Sequence, residues 1–364
     1  MKEVVLHIGM HKTGTSAIQS SLREYENNGI KYASFSEENH SIPLYTIFSK
    51  NRNNYHIWRK RGLNPSAILA EKQAYHDILL KDLSDPNVDR LIFSGEDMSS
   101  LSHSEQANVA TFFLEKQCSV KVILVVRDPF SYAISATQQM IKGGHKDLGC
   151  INPSYQQKLS GFSEVLPVEC IRVYDYADLI AGDGLMTNFG NILGVTLQDQ
   201  GKVNESMSLE ALAIILQLNR LPIKTSGSQT RFVARNTIVN MCISFFSIDK
   251  GFEKLAGYRD ASLLVETAYQ DCEWLYDTYG IDYRPLFESP DDSSLKERLD
   301  GSVVRCVDHM PDFFKQLGCE FRKELGVEAN LENAFNFVYR SLLTNNVKKP
   351  FLKRVYSAIL SRKK

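Results

Sequence analysis

The stretch Val4-Val5-Leu6-His7-Ile8-Gly9-Met10-His11-Lys12-Thr13-Gly14-Thr15-Ser16 decides the fold. A short β-branched run enters a loop of small and basic residues. Ala17, Ile18, Leu22 and Tyr25 then follow near helical spacing, with Asn27-Asn28-Gly29 as a C-terminal stop. The pattern is strand, loop, helix. Four further runs read as strands: Ile30-Ala33, Leu91-Ser94, Val120-Val126 and Cys170-Val173. Helical stretches alternate with them, which predicts a P-loop-type parallel sheet flanked by helices, an α/β fold.

Beyond about residue 180 the strand signal fades. Leu209-Leu218, Ser262-Tyr279 and Val303-Leu317 read as helices, Pro222 to Phe232 as a loop and Glu288 to Ser294 as a linker. The division expected is therefore an α/β core over 1–200 and a mostly helical extension over 201–364, packed on the core. Residues 34 to 90 give no clear architecture beyond a helical stretch from Pro65 to Leu83.

The composition is that of a folded protein. The chain has 364 residues, 42 Lys plus Arg against 43 Asp plus Glu, and 43% hydrophobic residues. Neither disorder nor a strongly basic nucleic-acid binder fits that balance. The seven cysteines lack a Cys-x-x-Cys pair, which argues for reduced thiols over a disulfide framework or zinc site. The apolar start is too short for a signal peptide, and no apolar run approaches the roughly 20 residues that span a bilayer. The expectation is a cytoplasmic protein. The tail from Lys348 to Lys364 carries seven basic residues and no acid, interleaved with apolar ones. Such a helix either contacts an anionic membrane surface, here the inner face, or docks on its own domain. The oligomeric state stays open.

The loop from Gly9 to Ser16 has the makings of a phosphate cradle. Small residues let the backbone wrap an anion, amides at a helix N-terminus donate to it, and a lysine neutralises it. Lys12 precedes Gly14 by two residues, unlike the standard Walker order in which Lys follows the second Gly. A second anion site is indicated where the strand Val120-Val126 ends at Arg127-Asp128-Pro129, with Ser135 two helical turns on. Asp128 can cap that helix and Pro129 can occupy its first turn.

Lys12-Thr13-Gly14-Thr15-Ser16 resembles the first signature of sulfotransferases that use 3′-phosphoadenosine-5′-phosphosulfate (PAPS). The longer form from His7 is most similar to bacterial sulfotransferase-like proteins associated with surface polysaccharides. Arg127 and Ser135 match the family's second signature, an Arg followed eight positions later by a Ser. The resemblance implies that His11, Lys12, Thr13, Gly14, Thr15 and Ser16 grip the 5′-phosphosulfate, while Arg127 and Ser135 hold the 3′-phosphate. It implies transfer of a sulfuryl group from PAPS to a carbohydrate hydroxyl, of a surface glycan or its lipid-linked precursor. Adenosine 3′,5′-bisphosphate is then the product, and no metal is required. Two features depart from the cytosolic small-molecule enzymes: Ala17 stands where an aromatic would stack on adenine, and their late Arg-Lys-Gly loop is missing. Arg231 or Arg235 could replace that loop only by folding back.

Catalysis would need a base. Gly95-Glu96-Asp97 follows the strand Leu91-Ser94, and Glu96 is the candidate, with Asp97 and His103 as competitors. Lys12 would stabilise the leaving phosphate. His7 and His11 span a strand and a loop, unlike a zinc pair on one helical face. Tyr55, Trp58, Arg59, Lys60 and Arg61 form either an aromatic and basic sugar-binding wall or a helix that packs one ring and exposes its charges. Two alternatives remain: a P-loop kinase using ATP and Mg²⁺, and a non-catalytic scaffold in glycan assembly.

Overall fold

In the computed structural model, residues 1–199, 206–223, 229–255 and 257–343 are described. The basic tail Lys348 to Lys364 lies outside them. The described residues include a six-stranded sheet: β1 (Glu3–His7), β2 (Glu26–Asn27), β3 (Ile30–Tyr32), β4 (Arg90–Ser94), β5 (Ser119–Val126) and β6 (Ile171–Asp175). Its order is β2-β3-β4-β1-β5-β6, and every pairing is parallel except β2 with β3. The expected α/β fold is present, and all five predicted strands appear within two residues of their expected limits.

β1 is central because both faces of it are apolar. Val4, Val5, Leu6 and His7 are all buried, which suits a strand covered by helices on both sides. On one face Val5, Ile92, Ile123 and Val125 pack with Ile18 and Leu22 of α1 (Thr15–Leu22) and with Phe189 and Leu193. On the other, Phe93 meets Phe113 at 5.5 Å between ring centroids.

The chain leaves β1 toward β3, returns to β4, and crosses β1 to reach β5. The carboxyl ends of β4, β1 and β5 therefore lie side by side where the winding reverses. Open parallel sheets bind ligands at such a point.

The chain forms two compact units, each assembled from several segments. The first comprises 1–129, 153–203 and 266–285; the second comprises 130–152, 204–265 and 286–364. A single division at residue 200 does not anticipate these crossings. In the second unit the helix Leu209–Arg220 is buried without interruption from Leu209 to Leu216, which makes it the core element. Phe245, Phe246 and Phe313 cluster within that unit.

Several expectations need correction. The first helix stops at Leu22, and Asn28 and Gly29 make a hairpin turn between β2 and β3, with φ of 49° and 73°. Asn-Gly favours that left-handed pair of conformations, and the strands it joins follow from it. The helix expected from Ser262 begins at Ala268. The helix expected over Val303-Leu317 is two, Leu295–Arg305 and Met310–Gln316, joined by a tighter turn at 306–309. Residues 34 to 90 contain three helices: Ser41–Phe48, His56–Arg61 and Pro65–Ser84. Of the loop expected from Pro222 to Phe232, 224–228 lies outside the described residues, and Gln229 to Phe232 open a helix. All seven thiols are free; Cys118, Cys242, Cys272 and Cys306 are buried, Cys170 and Cys319 half-buried, and Cys150 is exposed. Among the described residues no helix is long and apolar enough to cross a membrane.

Candidate functional site

The loop after β1 is shaped by its backbone. Ile8 and Met10 amides donate to Ile123 and Val125 carbonyls of β5 at 2.9 and 3.1 Å, which carries the strand pairing on past His7. Lys12 (φ 71°) and Gly14 (φ 76°) then turn left-handed on either side of Thr13. The Thr13 hydroxyl, fully buried, donates to the Met10 carbonyl at 2.6 Å and ties the loop to itself.

Gly14 is required twice over. Its φ is one that L side chains rarely adopt, and a Cβ there would stand 2.2 Å from Leu185 Cδ2. Gly14 caps α1 without a side-chain hydrogen bond, and the first turn carries no acid. Among the described residues the amides of Thr13, Gly14, Thr15 and Ser16 have no acceptor. Consecutive amides at the positive end of a helix dipole, free of protein acceptors, have the chemistry to hold an anion.

Arg127 closes the neighbouring strand and reaches this loop. Its Nη1 donates to the Lys12 carbonyl at 3.2 Å, and the guanidinium lies 5.6 Å from the Tyr176 ring centroid. The Tyr155 hydroxyl donates to the Arg127 carbonyl at 2.7 Å. Ser135 is half-buried on the helix Pro129–Gly143 and belongs to the second unit, whereas Arg127 belongs to the first.

The third strand end brings the acids. A Cβ on Gly95 would stand 2.4 Å from the Ser41 amide, so glycine lets the start of the helix Ser41–Phe48 approach. Glu96 accepts from Gln19 Nε2 at 2.9 Å and from Asn39 Nδ2 at 3.1 Å. The Asp97 amide donates to Ser41 Oγ at 3.0 Å, and the Tyr55 hydroxyl donates to the Asp97 carboxylate.

His11 joins acids to loop. Its Nε2 is 3.3 Å from Asp97 Oδ1 and its Nδ1 is 3.9 Å from Glu96 Oε1, while 46% of the side chain stays exposed. The hydrogen bond that His11 donates to Asp97 raises the His11 pKa against the opposing effect of burial. For Asp97, burial pulls upward, but His11 and Tyr55 outweigh it and hold the carboxyl below its ordinary value. The pair therefore favours imidazolium and carboxylate.

The structure brings His11, Lys12, Thr13, Gly14, Thr15, Ser16 and Arg127 to adjacent strand ends with Glu96 and Asp97. His103 is elsewhere. It is exposed at the start of the helix His103–Glu115 and pairs with Glu164. His7 is also apart from His11: it is fully buried, bonded through Nδ1 to Ser94 Oγ at 2.8 Å, and burial brings its pKa down to about 3.

Tyr55 and Trp58 do not present an exposed aromatic wall. Trp58 is fully buried and donates to Thr46 Oγ1 at 3.1 Å, and Tyr55 stacks on Tyr45 at 4.5 Å. Arg61 lies 5.2 Å from the Trp58 ring centroid and pairs with Glu37, while Arg59 and Lys60 are exposed. The alternative, one packed ring with outward charges, describes this helix. Arg235 is buried in the second unit, bonded to the Ile141 and Lys142 carbonyls.

Gln19, Asn39 and Ser41 complete the acid side of the site and carry no sequence motif, although Gln19 lies one turn beyond the loop on the same helix; Tyr55, read in the sequence as part of a sugar-binding wall, bonds Asp97 instead. No protein-family model matches the chain, and no curated protein matches it in sequence.

Proposed function

We propose that the protein is a PAPS-dependent sulfotransferase that acts on a hydroxyl of a carbohydrate, a surface glycan or its lipid-linked precursor. The observation that carries this reading is the left-handed loop at Lys12 and Gly14, with Arg127 bonded to its Lys12 carbonyl from the next strand. One cradle and one guanidinium at adjacent strand ends suit a ligand with two separate anionic groups. A nucleotide with a 5′-phosphosulfate and a 3′-phosphate is such a ligand.

In the proposed reaction the acceptor oxygen attacks sulfur in line with the departing phosphate oxygen. Its proton passes to Glu96, which Gln19 and Asn39 hold in one orientation. The bond between sulfur and the bridging oxygen breaks, and its electron pair stays on the phosphate of adenosine 3′,5′-bisphosphate. Lys12 and the loop amides stabilise that charge. The scheme uses no metal.

Calorimetric titration with adenosine 3′,5′-bisphosphate, compared with ATP plus Mg²⁺, tests the reading. Metal-independent binding of the bisphosphate is expected. A preference for ATP with Mg²⁺ would replace the sulfotransferase with a kinase, and silence toward both would leave a scaffold.

A further inference from the structure

The last described helix of the second unit ends at Leu343, and the sequence that follows turns basic. Lys348 to Lys364 carries seven basic residues and no acid, and its apolar residues Phe351, Leu352, Val355, Tyr356, Ile359 and Leu360 recur at helical spacing. On sequence alone such a tail suits an anionic membrane or its own domain equally. The surface around Leu343 favours the membrane.

Two helices build that surface. The guanidinium of Arg231, on the helix Gln229–Phe245, lies 5.4 Å from the ring centroid of Tyr339, on the helix Gly326–Leu343. Phe232 and Phe335, from the same two helices, line one cleft. The first turn of one helix therefore sits beside the last turns of the other, and Leu343 follows Tyr339 by one turn on the same side. Three large apolar side chains are exposed here: Phe232 (55%), Val233 (41%) and Leu343 (57%). Apolar side chains gathered at one place, unlike those scattered singly, mark an interaction site.

The charges around them have one sign. The helix Gln229–Phe245 contains no acid, and from Asn333 to Leu343 the only charged residue is Arg340. Lys146 and Arg235 line the cleft beside Phe232 and no acid does; Asp147, the next residue in the chain, lies outside it. The Lys146 segment is held in place, since Asn219 and Arg220 donate to the His145 and Lys146 carbonyls at 2.8 and 3.1 Å. At about 170 Å³ the cleft is smaller than the roughly 300 Å³ at which small-molecule pockets begin, so it belongs to a surface and is no ligand pocket. A basic tail docked on this face would bring like charge to like charge. An anionic bilayer attracts tail and face together and gives the apolar side chains a place to bury.

We infer that this end of the second unit, together with the basic tail, docks on an anionic membrane surface. Phe232, Val233 and Leu343 enter the acyl boundary, and Lys146, Arg231 and Arg340 lie at headgroup level. The inference does not rest on the donor reading.

The test is sedimentation of the full chain with vesicles of phosphatidylcholine alone and of phosphatidylcholine with an equal part of phosphatidylglycerol. Wild type should bind the mixed vesicles at least about tenfold more tightly than the neutral ones, and added salt should weaken that binding. Phe232→Ser with Val233→Ser should lose about tenfold in affinity for the mixed vesicles, and Leu343→Ser about threefold or more. Lys348→Gln, Lys349→Gln, Lys353→Gln and Arg354→Gln together should lose about tenfold or more. Each variant should keep the wild-type Tm. Wild type that ignores the mixed vesicles, or binds neutral ones equally well, overturns the inference. So does a folded Phe232/Val233 variant that binds like wild type, because the tail would then act alone. If that variant instead dissociates a wild-type oligomer in light scattering with vesicle binding unchanged, the face joins copies of the chain and the inference falls. If it does not fold, Leu343→Ser, at the exposed end of its helix, decides by the same criteria. Nucleotide titration of the same samples is independent, so failure of the donor reading and failure of this one are told apart.

Discussion

Arg127 Nη1 donates to the Lys12 carbonyl at 3.2 Å, so the loop after one strand is braced by the residue that ends the next. Because Lys12 holds a left-handed φ of 71°, its carbonyl orientation depends on that brace. Arg127→Ala should therefore act through two routes, a lost cation and a loosened loop. The expected loss of affinity for adenosine 3′,5′-bisphosphate is roughly 10- to 100-fold, the size of one or two charge-assisted hydrogen bonds. Arg127→Lys should recover only part of it, since one ammonium cannot reproduce the planar fork. Calorimetry on both variants checks this, and an unchanged Kd in Arg127→Ala would remove Arg127 from the site.

Gly14→Ala should destabilise the fold and impair the loop together. A left-handed φ and a Cβ placed 2.2 Å from Leu185 Cδ2 combine to about 2–4 kcal/mol. Leu185→Ala in the same chain should relieve the steric part and leave the backbone strain. Denaturant midpoints of the single and double variants separate the two. If the double variant is no more stable than the sum of the singles, Leu185 is not the obstacle.

The His11–Asp97 pair predicts a pH dependence of stability with a defined direction. Folding raises the His11 pKa, so its contribution is fully present below the unfolded value of 6.5 and is lost as pH rises through the folded value. Folding lowers the Asp97 pKa, so that contribution is present above 3.8 and is lost as pH falls through the folded value. The stability difference between wild type and His11→Gln should be largest just below pH 6.5 and shrink toward alkaline pH. Urea midpoints from pH 5 to 9 measure it; a difference that grew with pH would contradict the pairing. With nearly half of His11 exposed, solvent screening keeps the effect small.

Arg235 makes a prediction for the second unit. Its guanidinium bonds the Ile141 and Lys142 carbonyls at 3.2 and 3.1 Å and Asn219 Oδ1 at 2.6 Å. Among the described residues no carboxylate lies within ion-pair distance of it, so the carbonyl end of the helix Pro129–Gly143 is its counter-charge. Arg235→Ala should cost about 2–4 kcal/mol of stability by leaving buried acceptors without donors. Nucleotide affinity should stay at the wild-type value. A specific loss of adenosine 3′,5′-bisphosphate binding at unchanged Tm would restore Arg235 to the donor site.

Much of the first unit was legible because its signals are local. The apolar run Val4 to Ile8, the loop through Gly14, and Arg127-Asp128-Pro129 after β5 each fall within about a dozen residues, where strand period and turn chemistry act. Errors came where a local signal serves two structures. Asn27-Asn28-Gly29 suits a helix stop and a hairpin turn equally, and the partner strand Ile30–Tyr32 decided for the turn. Trp58 beside three cations suits a sugar platform or a packed helix, and Thr46, twelve residues upstream, took the indole N–H.

By itself the sequence determined the parallel sheet, the turn from its first strand into a helix and the arginine that ends the next strand, since strand periodicity, glycine placement and helix capping are properties of neighbouring residues. Only the tertiary structure decided the acid side of the site. Asn39 and Gln19 hold Glu96, and Tyr55 and His11 hold Asp97. No short-range pattern encodes such meetings, because they depend on which strand ends the winding of the sheet makes adjacent.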